Sequence, residues 1–252
     1  MDAIYRGAFF VRCGNFFFRY RNYLFPLVIV PVVLDPYRVF PEGGFARERW
    51  LDLGFLMVGV AGEALRALVV GFAYIKRGGL NKRIYAEKLV TRGMFGHSRN
   101  ALYVGNALMI ASLILIANSV WGYLIAAPFF IFVYLSIVAA EESHLRATFG
   151  AEYDAYCRRV NRWIPNFRGF SASIEDMRFR WERVVAKEYS SVFAWVAGVL
   201  AIEAGAAFRD GGVERHPVFI GAIATAFAAS VVALIAIRAL KKGPWARRTA
   251  AG

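Results

Sequence analysis

The sequence predicts an all-α fold, a polytopic transmembrane helical bundle of about six spans. Three observations predict it. The 252 residues are 58% hydrophobic and only 19% charged, with a mean hydropathy of +0.44, whereas soluble domains are less apolar and more charged. The apolar residues fall into runs near the ~20 residues that cross a bilayer as a helix. Lys and Arg gather in alternate segments between those runs, as topology requires of a membrane protein.

The first span is expected at about residues 23–40, short and carrying Pro26 and Pro31. The second covers about residues 51–75. The third, about residues 101–117, turns at Asn118-Ser119 directly into the fourth, about residues 120–140. Pro128 predicts a kink in the fourth, because its nitrogen has no hydrogen to donate. The fifth lies at about residues 190–208 and the sixth at about residues 217–240. No Ser-, Gly- or Pro-rich linker divides the chain, so residues 1–252 read as a single membrane domain.

The basic residues set the orientation. Twenty-five lie in one set of flanks: Arg6, Arg12, Arg19 and Arg21, the loop 76–99, the stretch 141–187 and the tail from Arg238. Five lie in the other set, Arg38, Arg47, Arg49, Arg209 and Arg215, and Arg66 falls within a span. This bias places both termini in the cytoplasm. It also explains the net charge of +13 by topology and anionic inner-leaflet lipids, so no nucleic-acid partner is expected. Two cysteines, Cys13 and Cys157, give no disulfide framework and no CxxC motif. No cleavable signal peptide is expected, since arginines punctuate the N-terminal stretch. Residues 169–189 read as an amphipathic interfacial linker. Ile174, Met177, Trp181, Val184 and Val185 share one helical face there, with Arg178, Arg180, Arg183 and Lys187 around the rest.

Two polar stretches sit at the cytoplasmic ends of the third and fourth spans, so a helical hairpin brings them together. The first is LVTRGMFGHSRNALYVGN, residues 89–106. Gly93 and Gly96 supply unusual turns. Asn100 is placed as an N-cap, leaving amide donors that attract a carboxylate, and Arg99 adds a cation able to grip one in a bidentate way. A capped helix start with basic residues facing lipid phosphate would look the same. The second is EESHLRATFGAEYDAYCRRVNRWIP, residues 141–165. Glu141 and Glu142 end a helix, where carboxylates oppose the dipole, and so call for cations or hydroxyl and amino donors. Leu145, Phe149, Tyr153, Tyr156 and Val160 recur at helical spacing and form a stripe suited to lid a pocket or to pack on the bilayer surface. Carboxylate-binding donors, acidic acceptors and aromatic walls suit a ligand with a carboxylate, an amine, a ribose diol and an adenine. S-adenosyl-L-methionine has all of these, and other adenosine-containing cofactors satisfy most of them.

The two stretches resemble the isoprenylcysteine carboxyl methyltransferase and phospholipid methyltransferase superfamily of integral membrane enzymes. Leu89, Val90, Gly93, Phe95, Arg99, Asn100, Tyr103 and Gly105 carry the first half of the resemblance. Glu141, Glu142, Leu145, Phe149, Gly150, Tyr153, Tyr156, Arg162 and Pro165 carry the second, in matching order and separation. Arg-Asn in place of Arg-His is similar to the bacterial members, which implies a bacterial inner membrane. Met94, Phe95 and Ala101 stand where the family has proline, tyrosine and proline. The resemblance implies a methyltransferase core at residues 51–168 and a cytoplasmic cofactor-binding segment after the fourth span; the first span and the two C-terminal spans at residues 190–240 lie outside the matched core. It implies S-adenosyl-L-methionine as cofactor and a membrane lipid or lipidated molecule as acceptor, either an isoprenylcysteine-like carboxylate or a phospholipid amine. Arg99 and Glu142 are the implied catalytic residues. The implied cofactor contacts are Leu89, Val90, Gly93, Phe95, His97, Asn100, Leu102, Tyr103, Gly105, Glu141, Glu142, Tyr153, Tyr156 and Arg162.

Glu63 and Arg66 lie three apart inside the second span, and so share a face. They read either as a self-neutralising pair or, with Glu188, as a polar lining for the acceptor. His97 reads either as a ligand contact or as a structural hydrogen bond, and no metal-binding spacing accompanies any histidine. Arg215-His216-Pro217 echoes the family's R-H-P more literally than the first stretch does. It lacks the flanking motifs, and so reads as a helix start. Two other classes fit parts of the pattern: a membrane NADPH-dependent reductase of the sterol-reductase type, and a non-catalytic membrane scaffold.

Overall fold

A computed structural model describes residues 7–35, 37–39, 45–72, 84, 86 and 88–242, the side chains of 45–49 excepted. The basic residues at Arg6, across most of the loop 73–87 and beyond residue 242 lie outside the described residues. Every regular element among the described residues is helical. The six long helices are α1 (Ala8–Leu34), α2 (Phe45–Phe72), α3 (Ala101–Ala117), α4 (Ala127–Arg159), α6 (Trp181–Arg209) and α8 (Pro217–Leu240). Two short ones, α5 (Phe170–Ile174) and α7 (Gly212–Arg215), lie in the connections. Five are long and apolar enough to cross a membrane, and α3 is a shorter apolar helix.

Neighbouring helices pair as α2 with α3, α1 with α4, and α6 with α8. Small residues set the close approaches. A methyl at Gly62 would lie 2.6 Å from the Gly105 carbonyl, and one at Gly14 only 2.0 Å from the Ser136 carbonyl. Lipid tails are as apolar as the helix faces, so such van der Waals contact is what holds membrane helices together. Trp195 of α6 packs where Gly59 has no side chain and donates to Ser112 Oγ at 2.8 Å. None of α8 is buried.

The third and fourth spans form the expected hairpin. Asn118 adopts the left-handed conformation (φ 47°) and its N–H caps α3 at Ile114 and Leu115, a role asparagine fills readily. The kink expected at Pro128 takes the form of a π-turn over Gly122–Ala126 immediately before it. The wider turn adjusts the backbone ahead of a residue with no N–H to give.

The first span differs from expectation. It starts at Ala8 rather than Tyr23 and ends at Leu34, because Phe9, Phe10 and Phe17 pack against Phe129 and Phe132 of α4. Arg12, Arg19 and Arg21 therefore lie on the helix rather than in a tail. The linker 169–189 is not one amphipathic helix either. Residues 175–180 break between α5 and α6. Phe179 packs on Phe72 at 5.0 Å, and the Arg180 N–H donates to the Gly71 carbonyl at 3.1 Å, satisfying a carbonyl that the end of α2 leaves without a partner.

At the end of the bundle remote from the two motifs, Asp35 clasps the hairpin. Ser119 Oγ and the Trp121 N–H donate to its carboxylate at 2.6 and 3.0 Å, as does the Tyr37 N–H at 3.0 Å. Burial pushes the Asp35 carboxyl up, but these donors and the Arg38 guanidinium outweigh it and hold the group below its ordinary value. A depressed carboxyl stabilises the fold above the unfolded value and loses that contribution as pH falls through the folded one. The thermal midpoint is thus expected to fall with acid below about pH 4, and the Asp35→Asn variant to show a flatter acid limb. Parallel acid limbs in the two proteins would refute the clasp.

Candidate functional site

Glu142 is the hub of the site. It follows the apolar run of α4, is 4% exposed, and accepts from two nitrogens of Arg162, Nε at 3.0 Å and Nη2 at 2.7 Å. Arg99 Nε lies 3.7 Å from the same carboxylate. Asn100 Nδ2 stands 3.4 Å from Glu142 and donates to the Arg162 carbonyl at 3.1 Å. Asn100 occupies the N-cap position of α3 as expected, but its side chain makes no cap bond there and turns instead to the hub. Glu141, the next residue, faces elsewhere and accepts from the Tyr103 hydroxyl at 2.5 Å.

The loop before α3 is stitched to the closing segment by backbone groups. The Arg99 N–H donates to Asn161 and the Asn166 N–H to His97, at 2.9 and 3.0 Å. Ser98 Oγ donates to the Trp163 carbonyl at 3.1 Å. Both ring nitrogens of His97 are engaged, Nδ1 with the Asn166 carbonyl at 2.5 Å and Nε2 with Ser173 Oγ at 2.8 Å. His97 thus fastens residues 166–173 over the loop. Gly93 (φ 60°) supplies the turn that starts this loop.

Gly150 aims the lid. Its backbone (φ 51°, ψ −123°) breaks α4 in a region essentially closed to L side chains. The bend carries Tyr153 and Tyr156 inward, where they are 1% and 4% exposed, and Tyr156 Oη donates to the Phe95 carbonyl at 2.6 Å. A methyl at Gly150 would meet no atom, so the Gly150→Ala variant is expected to suffer from backbone strain alone, about 1–3 kcal/mol. Its thermal midpoint should fall and its affinity for S-adenosylhomocysteine with it. Wild-type values for both would show that the bend has no such role.

A cavity of about 850 Å³ joins the hub to the bundle interior. Its upper walls are Leu89, Val90, Phe95, Arg99, Asn100, Leu102, Tyr103, Glu141, Glu142, Leu145, Tyr153 and Tyr156. Its lower walls are mainly apolar: Phe25, Ile29, Met109, Ile110, Leu113 and Trp195, with Arg21, Arg66, Asn106 and Tyr134 interspersed. Polar recognition at one end and room for an apolar chain at the other fall within one volume.

Residues 59–152 match the phospholipid methyltransferase family. The matched stretch is a little over a third of the chain. It runs from α2 through both motifs and stops at the residue before Tyr153. It agrees with the superfamily resemblance in the sequence, and the family is one of membrane methyltransferases that act on lipids. The closing Arg162 and helices α1, α6 and α8 lie beyond it. No curated protein and no solved structure matches the chain.

Against this phospholipid methyltransferase pattern the site residues separate into groups. Twelve residues expected from the sequence line the cavity: Arg66 and the upper-wall residues other than Leu145. Gly93, His97 and Arg162 shape the loop and the hub from behind. Gly105 is a packing glycine, where a methyl would lie 2.5 Å from Arg66 Cγ. Glu63 pairs with Arg66 at 3.4 Å as its spacing predicts, but the buried partner of Arg66 is Glu188 of α6. Arg66 Nε reaches Glu188 Oε2 at 3.0 Å and its Nη2 reaches Ser191 Oγ at 3.1 Å. The sequence did not single out Arg21, Asn106, Tyr134 or Trp195 as cavity residues. Asn106 had a legible cue, a polar side chain one turn after Tyr103 in an otherwise apolar helix. Arg215 and His216 both pair with Asp210, at 2.9 and 2.7 Å, as befits a helix start.

Proposed function

We propose that this protein is an S-adenosylmethionine-dependent methyltransferase of the membrane, acting on a lipid or lipid-linked acceptor that carries a carboxylate or an amine. The observation that carries this reading is the single cavity, with family motifs on its upper wall and an apolar floor between helices. The residues present fit the cofactor. Arg99 lines the cavity, and its buried Nε has no hydrogen-bond partner, since the Glu142 carboxylate stands 3.7 Å away; a guanidinium with donors to spare suits an anionic acceptor such as the cofactor carboxylate. Tyr153 and Tyr156 supply aromatic surface for a purine.

When bound, S-adenosylmethionine supplies an electrophilic methyl group on a sulfonium. The chain's own residues align the reactants and exclude water, which accounts for much of the rate in such a transfer. Arg99 and Asn100 orient the polar end, Glu142 holds both in place, and the bent lid closes over them. A carboxylate acceptor reacts as it stands, whereas an amine must first lose its proton. Glu141, on the wall beside Tyr103, is the carboxylate we assign to accept it. We read this end as the cytoplasmic one from the basic residues of 88–99 and 141–187, next to anionic inner-leaflet lipids, with the lipid entering from the bilayer between helices.

Calorimetric titration of the folded protein with S-adenosylhomocysteine is expected to show saturable binding, and NADPH no thermal stabilisation. Host lipids are expected to gain one methylene in mass when the protein is expressed. A folded protein that ignores S-adenosylhomocysteine, or prefers NADPH, refutes the reading.

A further inference from the structure

Arg21 is a charge placed at membrane depth. Its α1 neighbours fix that depth: Phe18 packs with Val133 and Ile137, and Phe25 lies 5.0 Å from Phe130 and 5.9 Å from Tyr134. Arg21 is therefore level with the apolar body of α4, inward of Glu141. An arginine in such a position is costly and marks a functional site by default. Its side chain is half-buried and lines the cavity. The guanidinium lies 4.4 Å from the Phe18 ring centroid and beside the Tyr103 hydroxyl, and the nearby Glu141 carboxylate and Tyr134 hydroxyl feel its charge. That hydroxyl of Tyr103 is already donated to Glu141.

We propose that Arg21 is a specificity-determining residue that holds the phosphate of a phospholipid acceptor. This rests on the methyltransferase reading. The cofactor-facing groups Arg99, Asn100, Tyr153 and Tyr156 belong to the upper wall. Arg21 meets that wall only through Tyr103 and Glu141, and its own helix continues through Phe25, Pro26 and Ile29 along the apolar floor. An anionic group that sits next to acyl chains and below a reacting headgroup is a phosphodiester. The planar guanidinium matches two phosphate oxygens at once. Glu141, reached through Tyr103, is then on the side of the headgroup amine. Arg21 lies outside residues 59–152, so this anchor comes from the helix that this chain adds to the matched stretch.

The test uses the full chain in detergent micelles, titrated with lysophosphatidylethanolamine, with oleylamine, which has no phosphate, and with S-adenosylhomocysteine. Arg21→Gln keeps a hydrogen-bonding side chain beside Tyr103, and Arg21→Lys keeps the charge. Arg21→Gln is expected to weaken lysophosphatidylethanolamine binding by about tenfold to a hundredfold, the loss of one charge-assisted contact. It should leave oleylamine and S-adenosylhomocysteine affinities unchanged, and Arg21→Lys should restore part of the loss. Unchanged lysophosphatidylethanolamine affinity overturns the proposal. Equal losses for the two lipids overturn it as a structural role, and a loss confined to S-adenosylhomocysteine assigns Arg21 to the cofactor. If wild-type protein binds the phospholipid through Arg21 but not S-adenosylhomocysteine, the methyltransferase reading fails and the anion site stands.

Discussion

Glu142→Ala is expected to lower the stability of the protein by about 3–5 kcal/mol and to abolish binding of S-adenosylhomocysteine. The cost arises from what is left behind. Arg162 and Arg99, with side chains 17% and 10% exposed, lose their shared carboxylate, and breaking a buried ion pair by removing one partner is strongly destabilising. The same deletion leaves the Asn100 amide only the Arg162 carbonyl and loosens the register between the loop 97–100 and the closing segment 161–166. Glu141→Ala is expected to cost less, about 1–2 kcal/mol, because Glu141 takes one hydrogen bond from Tyr103 and faces only the half-buried Arg21, where Glu142 serves two guanidinium groups. The variants thus separate the two adjacent carboxylates by role: Glu142 loses fold and ligand together, and Glu141 loses turnover with the fold retained. Thermal unfolding in detergent beside calorimetric titration reads both. Equal thermal losses in the two variants would contradict this division.

The division follows from helix geometry. Consecutive residues on an α-helix point about 100° apart, so Glu141 and Glu142 cannot face the same partner. Glu142 points into the seam between α3 and the closing segment. Glu141 points along α3 to Tyr103, into the cavity. The E-E pair thus serves two surfaces from one helix end. The bend at Gly150, two turns later, returns the chain over the site and places Tyr153 and Tyr156 against the loop that Arg99 anchors. The loop therefore closes without the prolines that the family carries at positions 94 and 101. Met94 and Ala101, both fully buried, pack with Leu65 and Val69 of α2, which fixes the loop by burial rather than by ring constraint.

Much of this was legible in the sequence, because it depends on local spacing. Asn118 marks the hairpin turn, the motif order puts Arg99 and Glu142 at one end, and Leu145, Tyr153 and Tyr156 share the cavity wall, though by the bend at Gly150 rather than on one continuous helical face. Three features were not legible, for a common reason. The early start of α1 is decided by phenylalanines meeting Phe129 and Phe132, more than a hundred residues away in the chain. The break in the linker is decided by Phe179 packing on Phe72 at the end of α2. The burial of Glu188 is decided by α6 beginning at Trp181, ahead of the expected residue 190, which lays Glu188 against Arg66 of α2. Helical periodicity reports which face is apolar and is silent on which distant helix meets that face.

The Arg66–Glu188 pair makes the last point testable. Arg66→Met takes the guanidinium from Glu188, 1% exposed, and Glu188→Leu takes from Arg66 its most buried carboxylate, leaving it Glu63 at 3.4 Å. Each single variant is expected to lose about 3–5 kcal/mol. The double variant is expected to recover most of that loss, since well-packed apolar side chains replace a buried ion pair at little cost. Met is the substitution of choice because the Arg66 stem packs on Gly105, and an unbranched side chain keeps that contact. A positive coupling in the double-mutant cycle, read from thermal unfolding, identifies the pair as one unit tying α2 to α6. Additive losses would break that unit into independent charges. Arg66 also lines the cavity. The recovered double variant should therefore bind S-adenosylhomocysteine normally while its lipid turnover changes, which separates the polar lining of the acceptor end from the stability of the bundle that holds it.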